Sequence, residues 1–405
     1  MVMGYSERLV QNLLDEFNLA PGSSVLDPFG GSGTTAVQCR KNGLNCWTID
    51  SNPVSTFATT VKTNWNLDPR QLRRLRNRAI RRYPKLRQNL PSLREDPTYR
   101  YMSNSGMLKR GWISTKRIYD VIALKKAILE LRADSSLENA LLLGLATELV
   151  QRISNMRFGP EIYCGPLRKG IRTCDVFSER VDQMVTDLEN LDRHFAGQTV
   201  IVDGDSRELS ANWLRPPAAG FDAVISSPPY PTEHDYTRNS RLELALLESV
   251  VDRDSLRAIK KRMIRSHTKG IYIEDADSRS VEENQEIAEL VAVIDRKAAR
   301  KKHGFARLYG RVVKEYFGGM ALHLTSLHPL LSPNARCAYV LGDQASYLGV
   351  QIHTAEILGR IAEVIGYSVI DVRPWRERWA TSSRKHLNEN ILFLQKRSIG
   401  TSKLG

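Results

Sequence analysis

Four consecutive residues, Ser227-Pro228-Pro229-Tyr230, join a hydroxyl, two prolines and an aromatic ring. They follow an apolar run, 222–225, that is typical of a short buried strand. Because proline has no N–H and a fixed φ, carbonyl groups near such a turn stay free to accept hydrogen bonds. The turn could therefore hold the N–H groups of a ligand while the tyrosine ring stacks on it. A proline-stiffened loop with a packing tyrosine is the alternative.

A second group of residues, Asp27-Pro28-Phe29-Gly30-Gly31-Ser32-Gly33, also follows a short apolar run. Glycines after a first strand let a ligand approach the backbone and let the chain turn into a helix. The spacing differs from GxGxxG, and GxxxxGK[ST] is absent, so a phosphate cradle is disfavoured. Asp50 ends the next apolar run, where a carboxylate can accept hydrogen bonds from ribose hydroxyls. A tight turn without a ligand remains the alternative.

Alternating strand and helix patterns surround both groups and predict a doubly wound α/β sheet. Helices are predicted over 5–18, 34–41, 305–331 and 354–365, and strands over 24–26, 45–49, 199–202, 222–225, 337–341, 368–372 and 391–394. Ligands bind at the carboxyl edge of such a sheet. We therefore expect the two groups to meet at that edge.

Together the two groups resemble the motifs of the DNA amino-methyltransferases, the family that modifies cytosine N4 or adenine N6 of DNA. The loop from Asp27 to Thr35 resembles the family's cofactor loop and Ser227–Tyr230 its catalytic tetrapeptide. The resemblance covers about half of the chain and implies a Rossmann-like methyltransferase sheet with S-adenosylmethionine as methyl donor. The cofactor-binding residues that it implies are Tyr5, Asp27, Pro28, Phe29, Gly30, Gly31, Ser32, Gly33, Thr34, Asp50, Asp205 and Ser206.

The resemblance also implies a mechanism. Exocyclic amines are poor nucleophiles, so the enzyme must orient the lone pair and draw the N–H groups toward acceptors. Ser227 and the Pro228 carbonyl would be the acceptors, and Tyr230 would stack on a base flipped out of the duplex. Pro229 completes the catalytic set. Serine at the first position favours cytosine N4, while adenine N6 remains open. The chain lacks the Pro-Cys nucleophile that C5 methylation requires.

Positive charge is concentrated in one segment. Between Arg70 and Arg117 there are 15 Lys and Arg residues and two acids, hence +13, against +14 for the whole chain. Such a surface favours a polyanion, whereas a merely solvated helix face usually carries interspersed acids. The predicted DNA-binding residues are Arg73, Arg74, Arg81, Arg82, Arg238 and Arg241. For the last two, pairing with Glu233 and Glu243 is an equal alternative.

Strand signals are missing between residues 67 and 196, where 119–133 and 137–156 have the periodicity of amphipathic helices. The predicted domains are a catalytic domain (1–66, 197–230 and 305–397), a largely helical basic insertion (67–196) as candidate DNA-binding region, and a second, smaller insertion (231–304). We expect the second insertion to be a charged excursion outside the core and a candidate target-recognition region. Which insertion reads bases stays open.

The remaining patterns bear on partners and location. Residues 373–379 mix cations with aromatic rings, as in nucleic-acid contacts or in a surface loop. His234 and Asp235 lack metal-ligand spacing, so no metal is expected. Without a membrane span or a signal peptide, a cytoplasmic, nucleoid-associated microbial protein is expected. Its partners would be duplex DNA and a cognate restriction enzyme. RNA methylation and a catalytically dead nucleic-acid-binding homologue are the rival functions.

Overall fold

A computed structural model describes residues 5–158, 162–192, 197–301, 304–380 and 385–397. The chain forms two compact units. The helical unit consists chiefly of Asn52–His194 and Thr237–Lys260, and the sheet unit of Gly4–Ser51, Phe195–Tyr236 and Lys261–Gly405.

Nine strands occur in the described part of the chain. They are β1 (Ser24–Asp27), β2 (Asn45–Asp50), β3 (Met156–Phe158), β4 (Ile162–Cys164), β5 (Thr199–Asp203), β6 (Phe221–Ser226), β7 (Leu331–Gly342), β8 (Tyr367–Ala380) and β9 (Lys385–Lys396). Seven of them form the sheet of the sheet unit in the order β5-β2-β1-β6-β7-β9-β8. All neighbours are parallel except for β9, which runs antiparallel to β7 and β8.

The helices divide between the two units. They are α1 (Glu7–Phe17), α2 (Thr34–Lys41), α3 (Pro53–Thr63), α4 (Pro69–Gln88), α5 (Leu90–Glu95), α6 (Pro97–Asn104), α7 (Thr115–Leu129), α8 (Ser135–Glu148), α9 (Thr173–Glu189), α10 (Ala211–Leu214), α11 (Tyr236–Asn239), α12 (Arg241–Leu246), α13 (Arg253–Lys261), α14 (Gln285–Ala299), α15 (Tyr309–Leu327) and α16 (Thr354–Ile365). Side-chain caps define several starts: Asp68 accepts from the Arg70 and Gln71 amides, and proline follows as the first residue of α4.

The central strands are buried on both faces, which explains why their sequences read as short continuous apolar runs. One layer of core packs α1 and α2 against Val25, Ala223 and Ile225. On the opposite face of the sheet, α14, α15 and α16 pack against Leu26, Val224 and neighbouring strand residues. The predicted Rossmann-like, doubly wound sheet is confirmed.

Three expectations from the sequence differ from the structure. A short antiparallel hairpin, β3–β4, interrupts the helical insertion. Residues 373–379 are not a surface loop, because they belong to β8. The prediction that 231–304 lies outside the core is wrong: Ile287 and Ile294 of α14 are fully buried in the sheet unit. Within that span, Thr237–Lys260 belongs to the helical unit and the remainder to the sheet unit.

Candidate functional site

The two sequence motifs lie side by side at the carboxyl edge of the sheet. β1 pairs with β6 through Leu26 and Val224, so the loop after Asp27 and the turn after Ser226 leave adjacent strands in the same direction. The Ser226 hydroxyl donates to Asp27 Oδ1 at 2.6 Å and joins the two strand ends directly. Residues nearly 200 positions apart in the chain therefore form one site within the sheet unit.

Asp27 is the anchor of this edge. Its carboxylate is 1% exposed and accepts hydrogen bonds from Ser226, from the Phe29 amide at 3.2 Å and from the Tyr5 hydroxyl at 3.1 Å. Tyr5 also contacts the Thr35 hydroxyl. Burial raises the pKa of the Asp27 carboxyl, and burial together with Asp27 raises the pKa of Tyr5. Both side chains are thus engaged by protein groups and hold the loop in place.

The glycine loop turns under two different constraints. Gly30 packs against Thr48 of β2, where an added Cβ would lie 1.8 Å from Thr48 Oγ1. Gly31 has φ +51°, and its N–H donates to Asp50 Oδ2 at 2.8 Å. Gly33 (φ +81°) is the N-cap of α2. The loop therefore brings its backbone to the edge with Asp50 beside it.

A fully buried histidine braces the loop from α15. His323 Nδ1 donates to the Ser206 carbonyl at 2.8 Å, while Nε2 lies 2.8 Å from the Tyr339 hydroxyl. The Ser206 hydroxyl in turn donates to the Pro28 carbonyl. The ring of Phe29, which is half-buried, packs edge-on against His323 at 5.0 Å between centroids. Ser206 and Pro28 are thus linked to each other, and Phe29 is positioned by the histidine.

Burial lowers the pKa of His323 to about 4, below the value near 6.5 of an unfolded chain. A neutral His323 therefore contributes stability that is complete above pH 6.5 and is lost as the pH falls through about 4. We expect the free energy of unfolding to fall by roughly 3 kcal/mol from this group over that window. Urea titrations from pH 7 to pH 4 measure it. His323→Gln should flatten this part of the profile; an equally steep profile in the variant would contradict the assignment.

Asp205 is placed beside the loop but is already paired. Both of its carboxylate oxygens accept from Arg207, with Nη2 at 2.5 Å, and the same guanidinium reaches Asp277 Oδ2 at 2.6 Å. The pair is largely buried. The backbone N–H of Arg207 also donates to Asp205 Oδ1, at 2.9 Å. Asp205 is therefore held in a fixed orientation by Arg207.

The Ser-Pro-Pro-Tyr turn has a defined hydrogen-bond geometry. Ser227 Oγ donates to the Val340 carbonyl of β7 at 3.3 Å and lies 3.4 Å from the Tyr230 hydroxyl. The Tyr230 amide donates to the Tyr236 hydroxyl at 2.9 Å. The Tyr230 ring lies against Gly342, where an added Cβ would be 2.9 Å from Tyr230 Cε2.

Two further features of the turn bear on its chemistry. No hydrogen bond to the Pro228 carbonyl occurs among the described residues. Burial raises the pKa of Tyr230, and the negative charge of Glu389 on β9 raises it further, so the phenol stays neutral. The turn therefore presents hydrogen-bond acceptors next to an uncharged aromatic ring.

The basic segment takes a specific form on α4. Leu72, Leu75, Arg76 and Ala79 of this helix are buried. Five exposed cations, which we call the basic stripe, lie within about 80° on the opposite face. The stripe consists of Arg70, Arg74, Arg78, Arg81 and Lys85. None of them has an ion pair within the described ranges.

The four predicted arginines of α4 divide into two pairs. Arg74 and Arg81 belong to the basic stripe. Arg73 lies 3.8 Å from Asp182 and 3.7 Å from Glu189, and Arg82 lies 3.6 Å from Glu130. Part of the positive charge of α4 is thus balanced within the helical unit, and the stripe is not.

Arg238 and Arg241 belong to the helical unit. Arg241 donates to the Thr237 hydroxyl at 2.8 Å, and Arg238 is exposed. Glu233, one of the acids considered as their partners, instead accepts from Thr268. Burial raises the pKa of Glu243 to about 7, which makes it a weak counter-ion near neutrality.

Several residues of the site were not predicted from the sequence. Four groups hold predicted site residues in place by hydrogen bonds: the Val340 carbonyl, Tyr236, Arg207 and His323. Tyr236 and Arg207 follow the motifs closely in sequence, which is a weak signal. For Val340 and His323 no signal exists, because only tertiary packing brings them to the site.

The described residues lack both a metal-binding cluster and a membrane-spanning helix. They contain no group of three or more His, Cys, Asp or Glu side chains arranged to hold a metal ion. None of their helices has the length and apolar character needed to cross a bilayer.

A seven-stranded sheet of this order, with a glycine loop and a Ser-Pro-Pro-Tyr turn at one carboxyl edge, has the Rossmann-like methyltransferase fold. No protein-family model matches the chain. The type II methyltransferase M.BsoBI of Geobacillus stearothermophilus is 27% identical to it, over 94% of this chain and 80% of that protein. The type II methyltransferases M.AvaI of Nostoc sp. and of Anabaena variabilis are 30% identical over 37% of this chain and 31% of their own lengths. These relatives support the resemblance to DNA methyltransferases that the sequence motifs indicate.

Proposed function

We propose that this protein transfers a methyl group from S-adenosylmethionine to the exocyclic amine of a base flipped out of duplex DNA, cytosine N4 ahead of adenine N6. The relatives are type II methyltransferases by name, which supports DNA as the substrate. A cognate restriction enzyme would be the natural partner of such an activity.

The hydrogen bond from Ser227 to Val340 carries this proposal. A carbonyl can only accept, so the single hydroxyl proton of Ser227 is committed to Val340. The lone pairs of Ser227 Oγ then face donors, and Tyr230 is the nearest one, at 3.4 Å. An incoming amine N–H can be accepted here and at the Pro228 carbonyl. Drawing both protons toward fixed acceptors leaves the nitrogen lone pair pointing away from the ring plane.

The glycine loop fits an adenosyl cofactor. At Gly31 the nearest atom to an added Cβ is 3.9 Å away, so a ligand can approach the backbone there. Phe29, Ser32 and Thr34 are half-buried around it, and Asp50 adjoins. Asp50 would hold the ribose hydroxyls and Asp205 the adenine amine. S-adenosylmethionine, when bound, would supply the methyl group.

The neutral acceptor at position 227 supports cytosine over adenine. Resemblance to the family favours Asp or Asn at this position for adenine and Ser for cytosine. In this chain the only carboxylate bonded to the tetrapeptide region, Asp27, reaches Ser226 and not Ser227 among the described residues. The acceptor strength at the amine is therefore that of a hydroxyl and a peptide carbonyl.

Incubation with labelled S-adenosylmethionine and duplex DNA, followed by nucleoside mass spectrometry, tests the proposal. N4-methylcytosine is the expected product. N6-methyladenine would reassign the base, and methylation of RNA alone would reassign the polymer. DNA binding without any transfer would identify a dead homologue.

The basic stripe would hold the DNA backbone. Each lost phosphate contact lowers the slope of log affinity against log salt by about 0.9. We expect Arg74→Gln/Arg78→Gln/Arg81→Gln to lower that slope by about 2 to 3 in fluorescence anisotropy titrations.

The matched control is Arg73→Gln/Arg82→Gln, which removes two cations that already have acidic partners. It should change the slope of log affinity against log salt by less than about 0.9, the contribution of one phosphate contact. An unchanged slope in the triple variant would exclude the stripe from the DNA interface.

A further inference from the structure

The hairpin of β8 and β9 continues past the carboxyl edge of the sheet. β7 ends at Gly342, which pairs with Glu389, so residues 385–388 of β9 have no β7 partner. They pair with residues 377–380 of β8 alone. At about 3.3 Å per residue, this two-stranded ribbon reaches roughly 13 Å beyond the edge.

The root of the ribbon is braced. The Asp343 amide donates to the Asn388 carbonyl at 2.8 Å, and Arg378 Nη2 donates to the Asp343 carbonyl at 2.6 Å. Leu387 packs with Ala345, and both are buried. An isolated two-stranded hairpin is marginally stable in water. These contacts therefore give the ribbon a fixed direction.

The outer part of the ribbon carries an exposed aromatic pair. Trp379 and His386 are directly opposite each other, with ring centroids 5.0 Å apart and planes at 71°. Trp379 is 57% exposed. Tryptophan is enriched at interfaces, because it combines a large apolar area with a polar N–H group.

The ribbon rises next to the catalytic turn. Tyr230 lies against Gly342, the last β7 residue to pair with β9. Trp379 is two strand spacings to the side of Gly342 and three residues above it, or about 14 Å away. A duplex that delivers a base to Tyr230 must pass beside this ribbon, and a major groove of about 12 Å admits two strands.

We propose that this ribbon is a DNA-contacting element and that Trp379 packs against the duplex beside the flipped base. The inference rests on the proposed function, because the position of the DNA follows from the catalytic turn. Arg376, whose side chain is 55% exposed and pairs with Glu389 at 2.6 Å, adds a cation at the same edge. If the ribbon instead contacts a second copy of this chain, the test below shows it as a change in sedimentation.

Trp379→Ala in the full-length chain tests the ribbon. We expect the KM for duplex DNA to rise about tenfold, since one aromatic stacking contact is worth that order. The kcat and the affinity for S-adenosylhomocysteine should stay unchanged, and Trp379→Phe should retain most of the binding. The matched control is Ile370→Ala, which removes a side chain of similar exposure, 59%, from the opposite end of the same strand.

Each outcome bears on a separate claim. Wild-type KM in Trp379→Ala would overturn the ribbon contact while leaving the proposed function intact. A change in sedimentation with unchanged DNA affinity would overturn it in favour of contact between copies. If the unmodified protein neither binds nor methylates DNA, the proposed function fails first and the ribbon contact falls with it.

Discussion

Replacing Ser227 with alanine should lower the rate of methyl transfer by about 100-fold, the cost of losing one fixed hydrogen-bonding partner of the reacting group. The hydroxyl lies 3.3 Å from the Val340 carbonyl at the surface of the turn, so little packing is lost. We expect kcat to carry the loss and the affinity for S-adenosylhomocysteine to stay near wild type. Single-turnover kinetics and isothermal titration calorimetry measure the two quantities.

The preceding serine provides a matched control. Ser226 is fully buried and donates to Asp27, so Ser226→Ala leaves a buried carboxylate short of a donor. We expect this variant to lose about 1–3 kcal/mol of unfolding free energy. Its folded fraction should still transfer the methyl group at a rate well above that of Ser227→Ala. Equal catalytic losses with equal stability losses would show that Ser227 is only structural.

Gly30→Ala should destabilise the sheet unit by about 3 kcal/mol, near the upper range for overpacking a tight contact. The added Cβ would lie 1.8 Å from Thr48 Oγ1, which β2 holds in place, so the cofactor loop must move. Cofactor affinity should fall with the stability. Thermal unfolding and titration with S-adenosylhomocysteine measure the effects.

The neighbouring strand offers a rescue and its control. Thr48→Ala removes the clashing oxygen and should recover most of the loss in the double variant with Gly30→Ala. Thr48→Val keeps a heavy atom at the same place and should recover none. If both second substitutions rescue equally, backbone conformation and not the contact with Thr48 requires the glycine.

Local sequence patterns were sufficient to predict the boundaries of elements whose structure depends mainly on their own residues. The helices Thr34–Lys41 and Thr354–Ile365 begin and end where the sequence predicts, because a glycine or turn signal stands at their ends. β7 and β8 are longer than predicted. Their extra residues, such as the strand 373–379, are held by pairing with β9, and strand pairing is not visible in a local window.

The charge pattern led to a wrong prediction for residues 231–304, because α14 within that span has only a narrow buried face. In α14, Ile287 and Ile294 lie two turns apart and enter the core, while Glu289 between them is exposed. The surrounding charge made 231–304 resemble an excursion. A stripe of two or three apolar residues is enough to dock a helix that already packs on a formed core.

The site was predicted at the level of motifs and not of contacts. The two loops meet as expected, because parallel strands share their carboxyl edge. The sequence did not indicate that Asp27 and Tyr5 act as internal supports, since a carboxylate that anchors a loop and one that binds a ligand look alike. The bonds from Ser227 to Val340 and from His323 to Ser206 depend on residues more than 100 positions apart.

The pairing of β1 with β6 makes the order of synthesis matter. Asp27 leaves the ribosome 199 residues before the serine that it binds, and the whole of Asn52–His194 is made in between. Contacts of such separation slow folding, because loop closure must precede any gain from them. In the nascent chain, the edge of β1 that pairs with β6 therefore stays without its partner strand until β6 has been synthesised. During that interval only the Asn52–His194 part of the helical unit can begin to fold, because Thr237–Lys260 is made after β6. An unpaired β1 edge exposed meanwhile favours aggregation.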